Sequence, residues 1–404
     1  MRQSVKQFGI VGRVLFIVLI LASSFIFAMF QGGGVSWTIF YTLLPFSIYS
    51  VALFLYPMSD LSVIRTICTP DVENGGKLIV SLSVRRQSRF PLLYTVVTEK
   101  WEEQEIPLLA GEQLKRLFIF GLRKEMKWEY EIERMPRGEH VLQGVEVEVS
   151  DFFGWLRKTK FIEQSHTIVV FPKITDIHYV PIDTQYDRGA MASPLNIVKD
   201  TTMATGVRDY QAGDRVTWIH WKSFARTQNL MTKEFEDKRS QELFLILDGR
   251  KTEMFEEQLE LVASTLKEAA GHQVGLAFLT TGSEPTLFPF IQSDEQLHHA
   301  LVHLAKIKPI EEGMADSVMD FGTAIQHGGS IVLITGNPDK LFIQSLLRNV
   351  GNVKSIICFI VVKQDEVMPE TMENNIRQAK SKGIIVHILG RKQFAQAFKE
   401  VARL

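Results

Sequence analysis

"ELFLILDGRKTEMFEEQLELVASTLKEAAG", Glu242 to Gly271, sets the architecture of the C-terminal part of this chain. "ELFLILD" is an apolar run with the length of a buried strand. After it, Phe255, Leu259, Val262 and Leu266 recur at the spacing of one helical face. A strand apolar on both sides, followed by an amphipathic helix, is the repeating unit of an α/β fold. The rhythm continues in "VGLAFLT", "SIVLITG", "SIICFIVVK" and "GIIVHIL", which predict further buried strands separated by helical segments. Ser293 and Gln296 frame one of those helices as a capping box. Residues 241–404 therefore read as an α/β domain with a mostly parallel sheet.

Ligands of such sheets sit at the carboxyl ends of the strands. No strand here is followed by a phosphate-binding glycine loop or by a G-x-S-x-G nucleophile elbow. The first strand does end in an acid, Asp248, with Thr252 four residues on, oxygen donors suited to Mg²⁺. Arg250 between them opposes a cation, so pairing of Asp248 with Arg250 or Lys251, or capping of the next turn, is the preferred expectation. His299 and His303 have zinc-like i, i+4 spacing, with His298 adjacent, but no third ligand lies near them in sequence.

Upstream, residues 60–175 are short and two-periodic. "KLIVSLSVRR", "LLYTVVTEKW", "KRLFIFGL", "KWEYEIERM" and "HVLQGVEVEVS" predict strands, with Val145, Val147 and Val149 facing a core and Glu146 and Glu148 facing water. Such strands without long helices between them suggest a β-sandwich. Across "MPRGEHVLQGVEVEVSDFFGWLRK", aromatics interleaved with Arg137, Arg157 and Lys158 can stack on bases. Glu139 and Asp151 among these cations favour a sandwich corner plugged by Phe152, Phe153 and Trp155.

Residues 1–59 hold two apolar stretches. About 17 uncharged residues follow Arg13, "QGGG" breaks the helix, and a second span of about 23 residues begins at Val35. Trp37 and Tyr56 suit interfacial positions. Arg2, Lys6 and Arg13 precede the first span, and Arg65 and Lys77 follow the second. The positive-inside bias thus predicts a two-helix hairpin in the cell membrane with both termini cytoplasmic. A cleaved signal peptide is the alternative, for which Ala22-Ser23-Ser24 is a poor site.

The whole chain carries 45 Lys and Arg against 46 Asp and Glu, a formal charge of -1. That balance gives no global reason to attract nucleic acid. The two cysteines, Cys68 and Cys358, form neither a disulfide framework nor a zinc site and suit a reducing compartment.

Residues 176–240 end in the densest polar stretch, "GVRDYQAGDRVTWIHWKSFARTQNLMTKEFE". Its signs alternate through Arg208, Asp209, Asp214, Arg215, Lys222, Arg226, Lys233 and Glu234. Such alternation favours internal ion pairs over a phosphate-binding surface. Gly213 permits a turn that folds Asp214 back, onto Arg226 or a backbone amide. Tyr210, Trp218, Trp221 and Phe224 offer apolar area to anchor the loop. "NLMTKEFE" predicts a hairpin that feeds the first α/β strand and adds an antiparallel strand at the sheet edge. The stretch is thus expected to be a clasp or a partner-docking surface. As a general base, His220 beside Lys222 and Asp214 lacks a visible nucleophile or cofactor.

At these residues the chain resembles a bacterial family, the domain of unknown function numbered fifty-eight. The resemblance rests on Arg208-Asp209-Tyr210, Gly213-Asp214, Ile219-His220-Trp221-Lys222, Ala225-Arg226, Leu230 and Lys233-Glu234-Phe235, with "PRGEHVL", "DFFGW" and "VVFPKI" upstream. It implies a membrane-anchored protein with a C-terminal domain similar to von Willebrand factor type A. It also implies a non-enzymatic role beside a MoxR-type AAA+ ATPase, presenting a client for assembly or maturation. Where that domain type carries a metal-ion-dependent adhesion site, Asp248 and Thr252 match. Arg250 replaces the first Ser, and Gly336 stands where an Asp follows Thr335. Thr217 stands where many members carry Arg.

Overall fold

The computed structural model describes residues 2–179, 197–211, 218–239, 241–272, 275–282, 285–311, 328–349, 355–363 and 368–401. The chain divides into two compact units, Met1–Phe171 and Pro172–Leu404.

The first unit opens with α1 (Arg2–Gln31) and α2 (Gly34–Leu55), helices long and apolar enough to cross a membrane by length and composition. Gly32 and Gly33 turn the chain between them with φ of 58° and 149°, a conformation side-chain-bearing residues avoid. Leu15, Leu19 and Phe30 lie exposed on α1. Pro45 sits inside α2.

Two β-sheets make up most of the rest of this unit. A three-stranded sheet orders β1 (Leu61–Ile67), β3 (Leu78–Arg86) and β6 (Glu125–Ile132). A five-stranded sheet orders β2 (Val72–Glu73), β8 (Arg157–Phe171), β7 (Gly138–Ser150), β4 (Tyr94–Trp101) and β5 (Lys115–Phe118). Both sheets bury alternate side chains in one cluster: Val80, Leu82 and Val84 from the first, Val97, Val145, Val147 and Val149 from the second. The outward glutamates of β7 meet cations instead, Glu146 with Lys100 at 3.0 Å and Glu148 with Arg157 at 3.9 Å. A buried polar network ties the sheets together. Arg65 Nε of β1 donates to Glu99 Oε1 of β4 at 2.5 Å, its Nη1 donates to the Gln164 carbonyl at 2.6 Å, and Tyr130 Oη of β6 donates to Glu99. Burial raises the Glu99 carboxyl above its ordinary range despite the pull of Arg65 and Tyr130.

The "DFFGW" loop departs from the expected sandwich corner. Phe152 and Phe153 pack on Phe46 of α2, with ring centroids 5.0 and 5.1 Å apart, and stay half-exposed. Ser50 Oγ of α2 donates to the buried Asp151 Oδ2 at 2.7 Å. Lys158 Nζ donates to the Phe54 and Tyr56 carbonyls at 3.0 and 2.5 Å, satisfying orphan acceptors at the end of α2.

The second unit carries β9 (Ile197–Asp209), α4 (Trp221–Thr227) and β10 (Met231–Arg239), then β11 (Gln241–Leu247), α5 (Phe255–Gly271), β12 (Leu276–Thr280), β13 (Thr286–Ile291) and α6 (Asp294–Lys306). After these come β14 (Gly328–Thr335), α7 (Lys340–Asn349), β15 (Ser355–Val361), α8 (Glu370–Ser381), β16 (Ile385–Leu389) and α9 (Ala397–Val401). The six-stranded sheet orders β13-β12-β11-β14-β15-β16, parallel except for β13. β11 shows why the run was uniformly apolar. Leu243, Leu245 and Leu247 face one cluster with Leu259, Val262 and Leu266 of α5, while Phe244 and Ile246 face another with Met372 and Ile376 of α8. Each side of the strand meets a helical layer, so no position can be polar.

One topological expectation is corrected. β10 does not join this sheet; it pairs antiparallel with β9 in a separate two-stranded ribbon, Met231 opposite Asp209. Asp237, Lys238 and Arg239, which follow "NLMTKEFE", lie within β10. The antiparallel edge strand is β13, whose Pro289 fits an edge position.

Candidate functional site

Two places in the second unit gather the residues singled out above. The first is the crevice at the carboxyl ends of β11 and β14. Strand order reverses between these neighbours, the switch point where sheets of this kind bind ligands. Asp248 follows β11 and is buried, with 2% of its surface exposed. Its carboxylate is filled by protein groups. Arg250 Nε lies 3.0 Å from both oxygens, Arg250 Nη2 donates to Oδ2 at 2.6 Å, and the Arg250 backbone N–H donates to Oδ1 at 3.2 Å. Thr335 Oγ1, at the end of β14, donates to Oδ2 at 2.7 Å.

The guanidinium is itself fixed from beyond. Arg250 Nη2 donates to the Asn337 carbonyl at 2.6 Å, and Nη1 lies 3.7 Å from Asp339 Oδ2. Burial alone lowers the Arg250 pKa, but Asp248 and then Asp339 outweigh it and hold it above its ordinary value. Thr252 is turned to Gln258, whose Nε2 donates to Thr252 Oγ1 at 2.5 Å. Gly336 closes the same wall: a Cβ there would stand 2.8 Å from Thr252 Oγ1 and closer still to Gln258 Nε2. Magnesium needs free oxygen ligands in near-octahedral array. With a guanidinium spanning the carboxylate, the Asp248 and Thr252 donor set does not fit Mg²⁺. Lys251 takes no part and pairs with Glu311 at 3.1 Å. The histidines of α6 are not brought together either. His303 Nε2 lies 2.9 Å from Thr280 Oγ1 against the sheet, while His299 is exposed.

The second place is the ribbon with α4. Register sets Arg208 opposite Thr232, Val207 opposite Lys233 and Gly206 opposite Glu234. Arg208 Nη1 donates to the Asp209 carbonyl at 3.1 Å, and Tyr210 N–H to the Leu230 carbonyl at 3.0 Å. His220 is the N-cap of α4. Its Nδ1 accepts from the Ser223 N–H at 3.2 Å and lies 2.6 Å from Ser223 Oγ, while the His220 backbone N–H donates to the Met231 carbonyl at 2.8 Å. Among the described residues no carboxylate contacts His220. Gly213, Asp214 and Thr217 lie outside the described residues.

The charge closure expected around α4 involves Asp214 and Arg215, which lie outside the described residues. Lys222 and Arg226 are exposed on α4, and no acid among the described residues pairs with them. Of the four aromatics expected to anchor a loop, Tyr210 and Trp218 are partly buried, whereas Trp221 is 59% and Phe224 37% exposed, their rings edge to face at 6.1 Å.

The comparisons agree with the residues that carried the resemblance. The family model described as "Protein of unknown function DUF58" matches residues 206–403. "Uncharacterized protein YeaD" of Bacillus subtilis (strain 168) is 35% identical over 294 residues, which is 72% of this chain and 74% of the relative. Two solved structures resemble it remotely. The bacterial hydrophobin BslA is 14% identical, covering 28% of this chain and 98% of its own, with a TM-score of 0.20. Cwp6 from Clostridium difficile is 8% identical, covering 84% of this chain and 56% of its own, with a TM-score of 0.19. At those scores neither carries an argument about the fold. Relative and family model together identify this chain as a member of the DUF58 family, whose function is unknown.

Proposed function

We propose that this protein is a membrane-anchored, non-enzymatic scaffold or adaptor that docks a cytoplasmic protein partner through α4 and the β9–β10 ribbon. The observation that carries it is the exposure of Trp221 and Phe224 beside Lys222 and Arg226 within the family's motif. Large aromatics with an adjacent Arg are the usual anchors of protein interfaces. The filled Asp248 crevice supports a non-catalytic role, because its carboxylate is committed to Arg250 and Thr335.

The finer fold assignments belong to the same proposal. Strand order β13-β12-β11-β14-β15-β16 with one antiparallel edge supports a von Willebrand type A-like sheet. The single cluster shared by the two sheets of the first unit supports a β-sandwich. The two apolar helices and the flanking Arg2, Lys6, Arg13, Arg65 and Lys77 support a membrane hairpin with both termini in the cytoplasm. A MoxR-type AAA+ ATPase is the proposed partner, in complex assembly or maturation; nucleic acid and a cofactor have no part in it. A photo-crosslinker placed at Trp221 in native membranes tests the docking. Recovery of an AAA+ ATPase is expected, and recovery of lipid adducts alone contradicts it.

A further inference from the structure

Where the helical hairpin meets the β-rich part of the first unit, Arg13, Phe16, Gly154, Trp155 and Arg157 line a cleft of about 430 Å³. Arg13 and Phe16 belong to α1, just inside the apolar span that begins at Val11. The other three come from the "DFFGW" loop and the start of β8. That loop is fixed to α2 by the Ser50–Asp151 hydrogen bond and by Phe46. Phe153 stacks on Trp155 with centroids 4.8 Å apart. Gly154 has φ of 69°, and a Cβ on it would lie 3.5 Å from Arg157 Nη2, so the backbone passes directly beneath the guanidinium.

The cleft lining carries two cations and no acid. Arg13 is exposed and pairs with no acid among the described residues. Arg157 Nη1 reaches Glu148 only at 3.9 Å, and its side chain is 60% exposed. Asp151 is buried and held by Ser50, and Lys158 is turned to the carbonyls at the end of α2.

We propose that this cleft binds the phosphodiester headgroup of an anionic phospholipid, an inference that rests on the membrane anchoring proposed above. Two guanidinium forks present paired N–H donors to phosphate oxygens. Phe16 offers apolar surface for the start of the acyl chains, and Trp155 has the amphipathic ring favoured at the membrane boundary. Basic pockets beside membrane helices bind anionic headgroups in this way. A free phosphate lacks the apolar part and uses only half the lining.

Native mass spectrometry of the full chain, with phosphatidylglycerol, phosphatidylcholine or inorganic phosphate as probes, tests this. The wild type is expected to retain phosphatidylglycerol over phosphatidylcholine. Arg13→Gln and Arg157→Gln should each weaken that retention about tenfold, and Lys127→Gln, an exposed cation of β6, should not. Inorganic phosphate should fail to displace the lipid. Equal retention of both lipids, an unchanged preference in the double Arg13→Gln/Arg157→Gln variant, or displacement by phosphate would overturn the site. Alkaline carbonate extraction separates the two levels. A chain that stays in the membrane without headgroup preference overturns the cleft alone, whereas release by carbonate overturns the anchor and the cleft with it.

Discussion

Arg250 Nη2 stands 2.6 Å from Asp248 Oδ2, and its Nε stands 3.0 Å from both oxygens of that carboxylate. The C-terminal crevice of the sheet thus carries its own cation. Removing one partner of a buried ion pair strands the other without water or counter-charge. Arg250→Met is expected to destabilise the second unit by about 3 kcal/mol, and Asp248→Asn in the same chain to recover most of that loss. Thermal melting of the single and double variants checks it; equal losses in both would show that Arg250 acts by packing.

Gly336 leaves no room for a side chain beside Thr252 and Gln258. Gly336→Ala should cost about 1–3 kcal/mol, because the Gln258–Thr252 hydrogen bond must shift. A melting temperature unchanged from wild type would mean that this wall of the crevice yields freely.

His220 is placed here as a cap. His220→Ala should lower stability by about 1 kcal/mol, and His220→Asn or His220→Ser should restore it, since both side chains accept from the first turn of a helix. A catalytic histidine would not be rescued in that way, so partner capture and melting should recover together. Loss of function in the Asn variant with restored stability would favour chemistry at His220.

Asp60, just beyond α2, supplies a pH signature. Burial by itself raises its carboxyl, but hydrogen bonds from Tyr56 Oη and Ser88 Oγ, each 2.7 Å, and from backbone N–H groups outweigh it and hold the pKa at about 2. A carboxyl depressed in the fold stabilises above its unfolded value and loses that contribution as pH falls through the folded one. The stability gap between wild type and Asp60→Asn should therefore be full near neutrality and close between about pH 4 and pH 2. A gap independent of pH would assign the effect to packing. Glu99, raised by burial, acts with the opposite sign: it favours the fold at low pH and loses that advantage as pH rises through its raised value.

Periodicity made the parallel strands legible, because Leu243 to Leu247 must satisfy two helical layers at once. It also separated Val145, Val147 and Val149 from Glu146 and Glu148 on β7. The β13 edge strand was not legible: "TLFPFI" contains a proline and is only partly buried, so its pattern is neither alternating nor continuous. Pairing of β10 with β9 depends on residues 22 positions or more away, Met231 against Asp209, which no local pattern encodes. Asp248 was legible as a strand-end acid and Arg250 as its counter-charge. The contributions of Asn337 and Asp339 were not, since only the fold brings the end of β14 beside β11. Around α4, Lys222 and Arg226 are exposed, and nearness in sequence pairs charges on a helix only when they share a face.

The most direct measurement compares crosslinking of the AAA+ ATPase to the wild type, to a Trp221→Ala/Arg226→Ala variant and to a Thr335→Val variant, all in native membranes. Docking through α4 predicts that the product collapses at least tenfold in the α4 variant and persists when the Asp248 crevice is altered. Undiminished crosslinking without Trp221 and Arg226, or loss only on changing Thr335, would contradict it.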